Sequence, residues 1–361
     1  MSSHSYKPVL SIIVPTCDEA HTLPALFDAL ASQQDISFDI VVSDGGSRDY
    51  TPGVAHSLGE RHGIRTRVLS GERGRGRQLN AGAAVADGRY LLFLHADSHL
   101  ADPLALGKGV AMLASACGDR MGDAVAGRFA LRFRRSTAES PLAYYFYECK
   151  ARLDRPECIH GDQGLLMPRT FFQRIGPFDT TLPMLAETRL AERIRTEGRW
   201  LLLPAEIITS ARRFEIEGLY QRQVVNAILM NFASLGWDDF FHAMDGLYRT
   251  QENSGLIDLA GFLRGVRSLM QRQPLSHQLS LWHGTGGYVR NHAWQIPFFL
   301  DVRRNFRQGL PPGEGPNPLL MQFDRFGKPL LGNPVGRLAA MALTWCWFHL
   351  ALARAQREAP S

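Results

Sequence analysis

Short apolar runs alternate along the first hundred residues with stretches where apolar side chains recur at helical spacing. Residues 9–14 are almost continuously apolar and lead into Pro15-Thr16-Cys17-Asp18-Glu19; Leu23, Leu26, Phe27 and Leu30 then follow at i, i+3, i+4 and i+7. That is the pattern of a buried strand, a polar turn and an amphipathic helix. Residues 38–42 repeat the apolar run and end in Ser43-Asp44-Gly45-Gly46-Ser47-Arg48-Asp49. Residues 66–69 form a weaker run that enters Gly71-Glu72-Arg73-Gly74-Arg75-Gly76-Arg77-Gln78 and a helix of small residues over 79–86. A fourth run, 91–94, stops abruptly at His95-Ala96-Asp97-Ser98. Runs without polar alternation fit strands covered on both faces. Their alternation with helices predicts an α/β fold with a mostly parallel, doubly wound sheet.

In such a sheet, ligands sit in the crevice outside the strand ends, and each predicted strand here ends in polar chemistry. Asp44 suits a base or ribose. Arg73 and Arg77, set among glycines, offer cationic forks and accessible backbone amides to a diphosphate. Asp97 suits a divalent cation. A carboxylate closing one strand is more often a cap or turn residue, so the weight rests on the set.

The ordered set Pro15-Thr16-Cys17-Asp18-Glu19, Asp44-Gly45-Gly46-Ser47, Gly74-Arg75-Gly76-Arg77-Gln78-Leu79-Asn80-Ala81-Gly82, His95-Ala96-Asp97, Gly161-Asp162-Gln163-Gly164 and Ser210-Ala211-Arg212-Arg213-Phe214 resembles family 2 glycosyltransferases of GT-A fold. It is most similar to a bacterial branch found beside radical-enzyme genes. The resemblance spans about residues 9–235 and implies an inverting transfer of sugar from a nucleotide-diphosphate sugar to a hydroxyl acceptor. It implies that Asp18 and Asp44 line the nucleoside pocket, that Arg77 approaches the phosphates, and that Asp97 is the last carboxylate of the metal motif and holds Mg²⁺ or Mn²⁺. His95 replaces the first Asp of that motif and is expected to hydrogen-bond the ribose. One carboxylate holds such a cation when diphosphate oxygens and waters complete its shell. Metal affinity without nucleotide is therefore expected to be poor.

The family's acidic pair near the acceptor corresponds to Ala186-Glu187, so the first acid is missing and Glu187 inherits the base. As an ordinary first-turn glutamate it would only complement the helix dipole. Gly161, Asp162 and Gln163 are expected in a tight loop against sugar or acceptor, and Arg213 over the departing diphosphate. The rival readings are a nucleotidyltransferase, which would want a glycine-rich basic signature after the first strand, and a non-catalytic sugar-nucleotide-binding protein, which His95 and Ala186 favour. A dinucleotide-binding dehydrogenase fits poorly, because Gly74-Arg75-Gly76-Arg77-Gln78-Leu79 lacks the third glycine of that fingerprint.

Beyond the match the pattern predicts a transferase domain over 1–235 and a mainly helical extension over 236–361. Within it, residues 218–235 and 256–270 read as helices, Gly284 to Gly287 as a break, and the Pro- and Gly-rich 308–335 as irregular. Residues 338–353 hold Trp345, Trp347 and Phe348; at 16 residues the segment falls short of the roughly 20 needed to span a bilayer. It is expected to be a packed or interfacial helix, and membrane-surface contact would make a lipid-linked acceptor plausible. Trp282-His283 and Asn291-His292-Ala293-Trp294 read as core aromatics, with an acceptor pocket as the alternative.

Composition adds bounds. The 361 residues, 45% hydrophobic and with a formal charge of +5, suffice for a large core and suit an anionic nucleotide or membrane surface equally. No basic helix, zinc spacing or interleaved basic and aromatic motif points to nucleic acid. Five cysteines without a CxxC read as reduced thiols, and residues 1–9 lack the features of a signal peptide, so a cytoplasmic site, with the inner membrane face as the alternative, is expected.

Overall fold

The computed structural model describes residues 7–117, 124–251 and 255–358, which fall into two compact units. The first unit holds the residues up to Arg135 and Tyr147–Ser210. In chain order its elements are β1 (Leu10–Thr16), α1 (Leu23–Ala31), β2 (Phe38–Asp44), α2 (Thr51–His62), β3 (Thr66–Ser70), α3 (Arg75–Val85), β4 (Tyr90–Phe93), α4 (Ala105–Cys117) and β5 (Val125–Arg134). The helix α5 (Pro141–Lys150) groups with the second unit up to Phe146, and β6 (Leu165–Pro168), α6 (Arg169–Ile175), α7 (Ala186–Glu197) and β7 (Arg199–Ser210) complete the first.

The seven strands form one sheet in the order β3-β2-β1-β4-β6-β5-β7. Only β6 runs against its neighbours. Strand alternation sends Ile12, Val42 and Leu92 to one face, against Leu26 and Phe27 of α1, Leu58 of α2 and Leu113 of α4. Ile13, Val41, Leu91 and Phe93 point to the other, against Leu79 of α3, Phe172 of α6 and Leu190 and Ile194 of α7. Covering both faces is what the unbroken apolar runs required. Thr16 pairs with Asp44, and Asp44 with Ser70, so β1, β2 and β3 finish level and their outgoing loops share one rim.

The second unit is helical: α8 (Arg212–Glu217), α9 (Leu219–Ser234), α10 (Asp238–Gln251), α11 (Leu259–Gln271), α12 (Leu275–Asn291), α13 (Gln295–Arg307), α14 (Pro318–Gln322), α15 (Lys328–Leu331) and α16 (Pro334–Glu358). The α/β class, the mostly parallel sheet and the helical C-terminal region follow the sequence pattern, and four details depart from it. The units part after Ser210, where the last strand ends, rather than at 235; α9 packs with α11 and α12 inside the second unit.

Gly284 to Gly287 do not break a helix, because they lie within α12 and serve close packing. A Cβ on Gly286 would stand 2.6 Å from the carbonyl oxygen of Arg337 and 2.7 Å from Cβ of Met341. The glycine gap lets α16 approach α12, and that packing offsets the helix penalty of about 1 kcal/mol per glycine. The segment 308–335 is not wholly irregular either. Pro318 enters α14 in its first turn, where a missing N–H costs nothing, and a π-helical turn at Phe323–Gly327 leads into α15. Finally, α16 runs 25 residues and, by length and composition, is long and apolar enough to cross a bilayer.

Candidate active site

The first unit gathers its polar residues along the rim where β1, β2 and β4 end. Asp44, 2% exposed, closes β2 and is saturated by its own loop. Its Oδ2 accepts from the backbone N–H of Gly46 (3.0 Å) and Ser47 (2.9 Å), while Oδ1 accepts from Thr16 Oγ1 (3.1 Å) and from the Ser47 hydroxyl. Asp18, with a left-handed φ of 59°, accepts from the N–H groups of Arg48 (2.6 Å) and Asp49 (3.3 Å), and its own N–H donates to Ser47 Oγ at 2.8 Å. The two carboxylates therefore shape one double loop. Beneath it, buried Gln78 donates through Nε2 to the carbonyls of Thr16 (2.7 Å) and Ser43 (2.8 Å), while Oε1 accepts from Gly74 N–H at 3.3 Å. Gln78 ties the ends of β1 and β2 to the arginine loop. Its role is invisible in sequence, since a glutamine in a first helical turn reads as solvated.

The three loop arginines separate. Arg77, half exposed, pairs with exposed Glu72 at 2.7 Å. Arg73 lies close enough to Cys17 to oppose the upward push of burial on that thiol. Arg75, first residue of α3, reaches Glu187: its Nη1 is 3.3 Å from Oε2 and 2.9 Å from Nε2 of His95. His95 Nε2 is also 2.7 Å from Glu187 Oε1. A ring nitrogen carries at most one proton, and the shorter contact is to a carboxylate, so Nε2–H donates to Glu187 and Arg75 bonds the carboxylate rather than the ring. Arg75 is not singled out by the sequence, and His95, expected at the ribose, is bonded here to Glu187.

Glu187 owes its position to three features. It lies in the first turn of α7, behind Leu185, whose φ of 71° is left-handed. Its neighbour Ala186 belongs to the apolar cluster below the sheet, where a second acid would be desolvated without a partner. Gly161 makes room, for a Cβ there would lie 1.8 Å from Glu187 Oε1. Burial pushes the Glu187 carboxyl up, but the charges of His95 and Arg75 and the hydrogen bonds from both outweigh it and hold it at about 2. It is a fixed, ionised carboxylate.

Gly161, Asp162 and Gln163 form a 3-10 turn before β6. Gln163 is fully buried and donates to the carbonyl of Cys158 at 2.8 Å. Asp162 Oδ1 is buried with no hydrogen-bond partner. Burial pushes its carboxyl up; His160 and His95 oppose that, and the Glu187 and Asp97 carboxylates add to it. Five titratable groups thus share one neighbourhood. Thr209 Oγ1 stands 3.5 Å from Asp97 Oδ2, at the outer limit of a hydrogen bond. Among the described residues, no group of three or more His, Cys, Asp and Glu is arranged to hold a metal by itself.

Residues 11–176 match the sequence profile of glycosyl transferase family 2. A PGL/p-HBAD biosynthesis glycosyltransferase of Mycobacterium bovis is 31% identical over 187 residues, covering 50% of this chain and 67% of that protein. The chain belongs to glycosyltransferase family 2. A dolichyl-phosphate beta-glucosyltransferase of Drosophila melanogaster is 33% identical over 99 residues, 24% of this chain and 30% of that protein. A solved mannosyltransferase of Pyrobaculum calidifontis, in complex with GDP-Man and Mn²⁺, aligns at TM-score 0.49 and 17% identity over 98% of this chain and 87% of its own.

As a member of that family, the protein is a sugar-transferring enzyme. Within this glycosyltransferase, Asp18, Asp44, Arg73, Arg77, His95, Asp97, Gly161, Asp162, Gln163 and Glu187 all belong to the first unit. Arg213 belongs to the second, on α8, where its Nε donates to Glu217 Oε1 at 3.0 Å. Glu217 is buried and also pairs with Arg222.

Proposed function

We propose that the protein transfers a sugar from a nucleotide-diphosphate sugar to a hydroxyl acceptor with inversion at the anomeric carbon, Glu187 acting as general base. The observation that carries this reading is the partly buried, ionised Glu187, cradled by Gly161 and gripped by His95 and Arg75. A purely structural first-turn glutamate would need none of these. The acceptor proton passes to the Glu187 carboxylate as the acceptor oxygen bonds the anomeric carbon. The bond from that carbon to the donor phosphate breaks, and its electron pair leaves on the nucleotide diphosphate.

A carboxylate held at about 2 is a weak base. Arg75 turning from Glu187 to the donor phosphates, and the acceptor hydroxyl taking the place of the His95 N–H, would both raise its basicity at the step that needs it. Arg73 lies in the same glycine-rich loop and joins Arg75 at the phosphates, with Arg77 farther out on α3. The double loop built on Asp18 and Asp44 forms the nucleoside pocket.

The donor set fits a divalent cation, Mg²⁺ or Mn²⁺, only together with substrate. Asp97 has a loosely held carboxylate and Asp162 an unpartnered oxygen, while the described residues offer no complete ligand cluster. Asp97 would hold the cation, with diphosphate oxygens and waters as its remaining ligands. When bound, it supplies positive charge to the departing diphosphate. A lipid-linked acceptor at the inner membrane face is supported by the exposed apolar side chains of α16 and by the name of the dolichyl-phosphate relative.

Thermal-shift titration with UDP, GDP and TDP sugars, each with Mn²⁺ or EDTA, tests the donor side. One nucleotide sugar is expected to raise the melting temperature of the wild type in the presence of Mn²⁺, through ligand linkage, and to lose most of that effect with EDTA or in Asp97→Ala. The absence of any nucleotide-dependent shift overturns the reading.

A further inference from the structure

The second unit contains a cavity of about 320 Å³ between α9, α11, α12 and α16. Its wall is almost wholly hydrocarbon and aromatic, with Phe232, Trp282, Leu343, Trp347 and Phe348 among the lining residues. At roughly 30 Å³ per water-sized group it has room for about ten non-hydrogen atoms, which places it in the size and character range of small-molecule pockets.

Among the lining residues Asn231, Thr285, Tyr288 and Thr344 carry polar groups, and Thr344 Oγ1 donates back to the carbonyl of Ala340 at 2.7 Å. Asn231 of α9 and Thr285 of α12 both line the cavity, and Asn231 Nδ2 donates to Thr285 Oγ1 at 3.0 Å. Asn231 is 7% exposed, and its Oδ1 is buried with no hydrogen-bond partner. Turning the amide over would exchange an unpaired acceptor for an unpaired donor, so one polar group stays unmet either way. Leaving it so costs about as much as a lost hydrogen bond. A packed core would have placed a leucine here.

The cavity also meets the surface on an apolar side. Leu343 and Trp347, both lining it, are 71% and 41% exposed, and Leu338 and Leu350 continue the same exposed apolar character along α16 at 54% and 70%. A ligand entering past Leu343 and Trp347 would leave hydrocarbon, not water, at the threshold.

We infer that this cavity binds the chain of a lipid amphiphile, a single hydrocarbon tail of roughly ten buried atoms carrying one hydrogen-bond donor that meets Asn231 Oδ1 once the amide turns from its covered position into the chamber. The occupant is a lipid rather than a sugar or nucleotide because one unmet acceptor in a hydrocarbon wall cannot satisfy a polyhydroxylated molecule. The site stands on the second unit alone and does not depend on the transfer reaction.

The test uses the full-length protein and 11-bromoundecanol, whose bromine quenches nearby tryptophans such as Trp282 and Trp347. Saturable quenching is expected, with the methyl ether of the same alcohol binding about tenfold more weakly because it cannot donate to Asn231. Asn231→Leu should bind alcohol and ether alike, and Val266→Phe, which fills the cavity from a buried wall position, should bind neither. Circular dichroism and an unchanged nucleotide-sugar thermal shift verify that each variant is folded. Non-saturating quenching in the wild type, equal affinity for alcohol and ether in the wild type, or undiminished binding in folded Val266→Phe overturns the inference. None of these outcomes bears on nucleotide-sugar binding, so this site and the transfer reaction stand or fall separately.

Discussion

The two units solve opposite problems with buried polar groups. Around Glu187 the first unit assembles charged and ionisable side chains, and it pairs the critical ones: His95 and Arg75 face the carboxylate from two sides, and Asp44 is satisfied by four donors. Around Asn231 the second unit does the reverse, leaving a single polar atom unmet in an apolar chamber. Pairing fixes geometry, which chemistry on an anomeric centre requires. A lone polar atom in hydrocarbon confers selectivity at little structural cost, which suits recognition. Glycine serves both. In the first unit the missing Cβ of Gly161 admits a carboxylate, and in the second that of Gly286 admits another helix.

The sharpest break of this contrast is Glu187→Gln. It keeps the shape and loses the base, so kcat should fall by about three orders of magnitude while the nucleotide-sugar thermal shift persists. Full turnover in that variant would reduce Glu187 to a structural ion. Gly161→Ala drives a methyl group into the same carboxylate; a fall in kcat of about a hundredfold and a loss of about 1–3 kcal/mol in stability are expected, read by kinetics and urea unfolding.

Acid titration isolates the electrostatics. The Glu187 carboxyl lies at about 2 in the folded protein against an ordinary 4.5. Its stabilising contribution is therefore complete above pH 4.5 and is lost as pH falls toward 2. At up to about 3 kcal/mol this should steepen the loss of stability in acid relative to Glu187→Gln; parallel urea-unfolding curves for the two proteins between about pH 5 and pH 3 would contradict the pairing.

In the second unit, Gly286→Val should cost about 1–3 kcal/mol by prising α12 from α16, visible in calorimetry, without moving the nucleotide-sugar shift. The smallest effect separates two arginines. Arg77→Ala, which breaks an exposed ion pair, should change stability by less than about 0.5 kcal/mol, whereas Arg75→Ala should reduce kcat by about tenfold or more. Equal effects would remove the distinction between them.

How much was legible follows from the range of each interaction. The strands before Asp44 and Asp97 and the helix behind the first loop are local patterns, so periodicity located them, while Glu187 was picked out by the family resemblance. The long-range facts were not. His95 and Glu187 are 92 residues apart, Arg75 and Glu187 are 112 apart, and nothing near any of them announces the meeting. The Gly284 to Gly287 stretch was misleading for the same reason, since its local preference is to break a helix and only the neighbouring α16 makes it pack.

By itself, then, the amino-acid order determined the α/β plan, the polar rim and the family, because those rest on burial and turn chemistry encoded within a few residues. Which arginine grips the carboxylate, why position 161 tolerates no side chain and where a hydrocarbon chamber opens beside Asn231 were decided by tertiary packing. Each depends on the distance between surfaces that only the closed chain brings together.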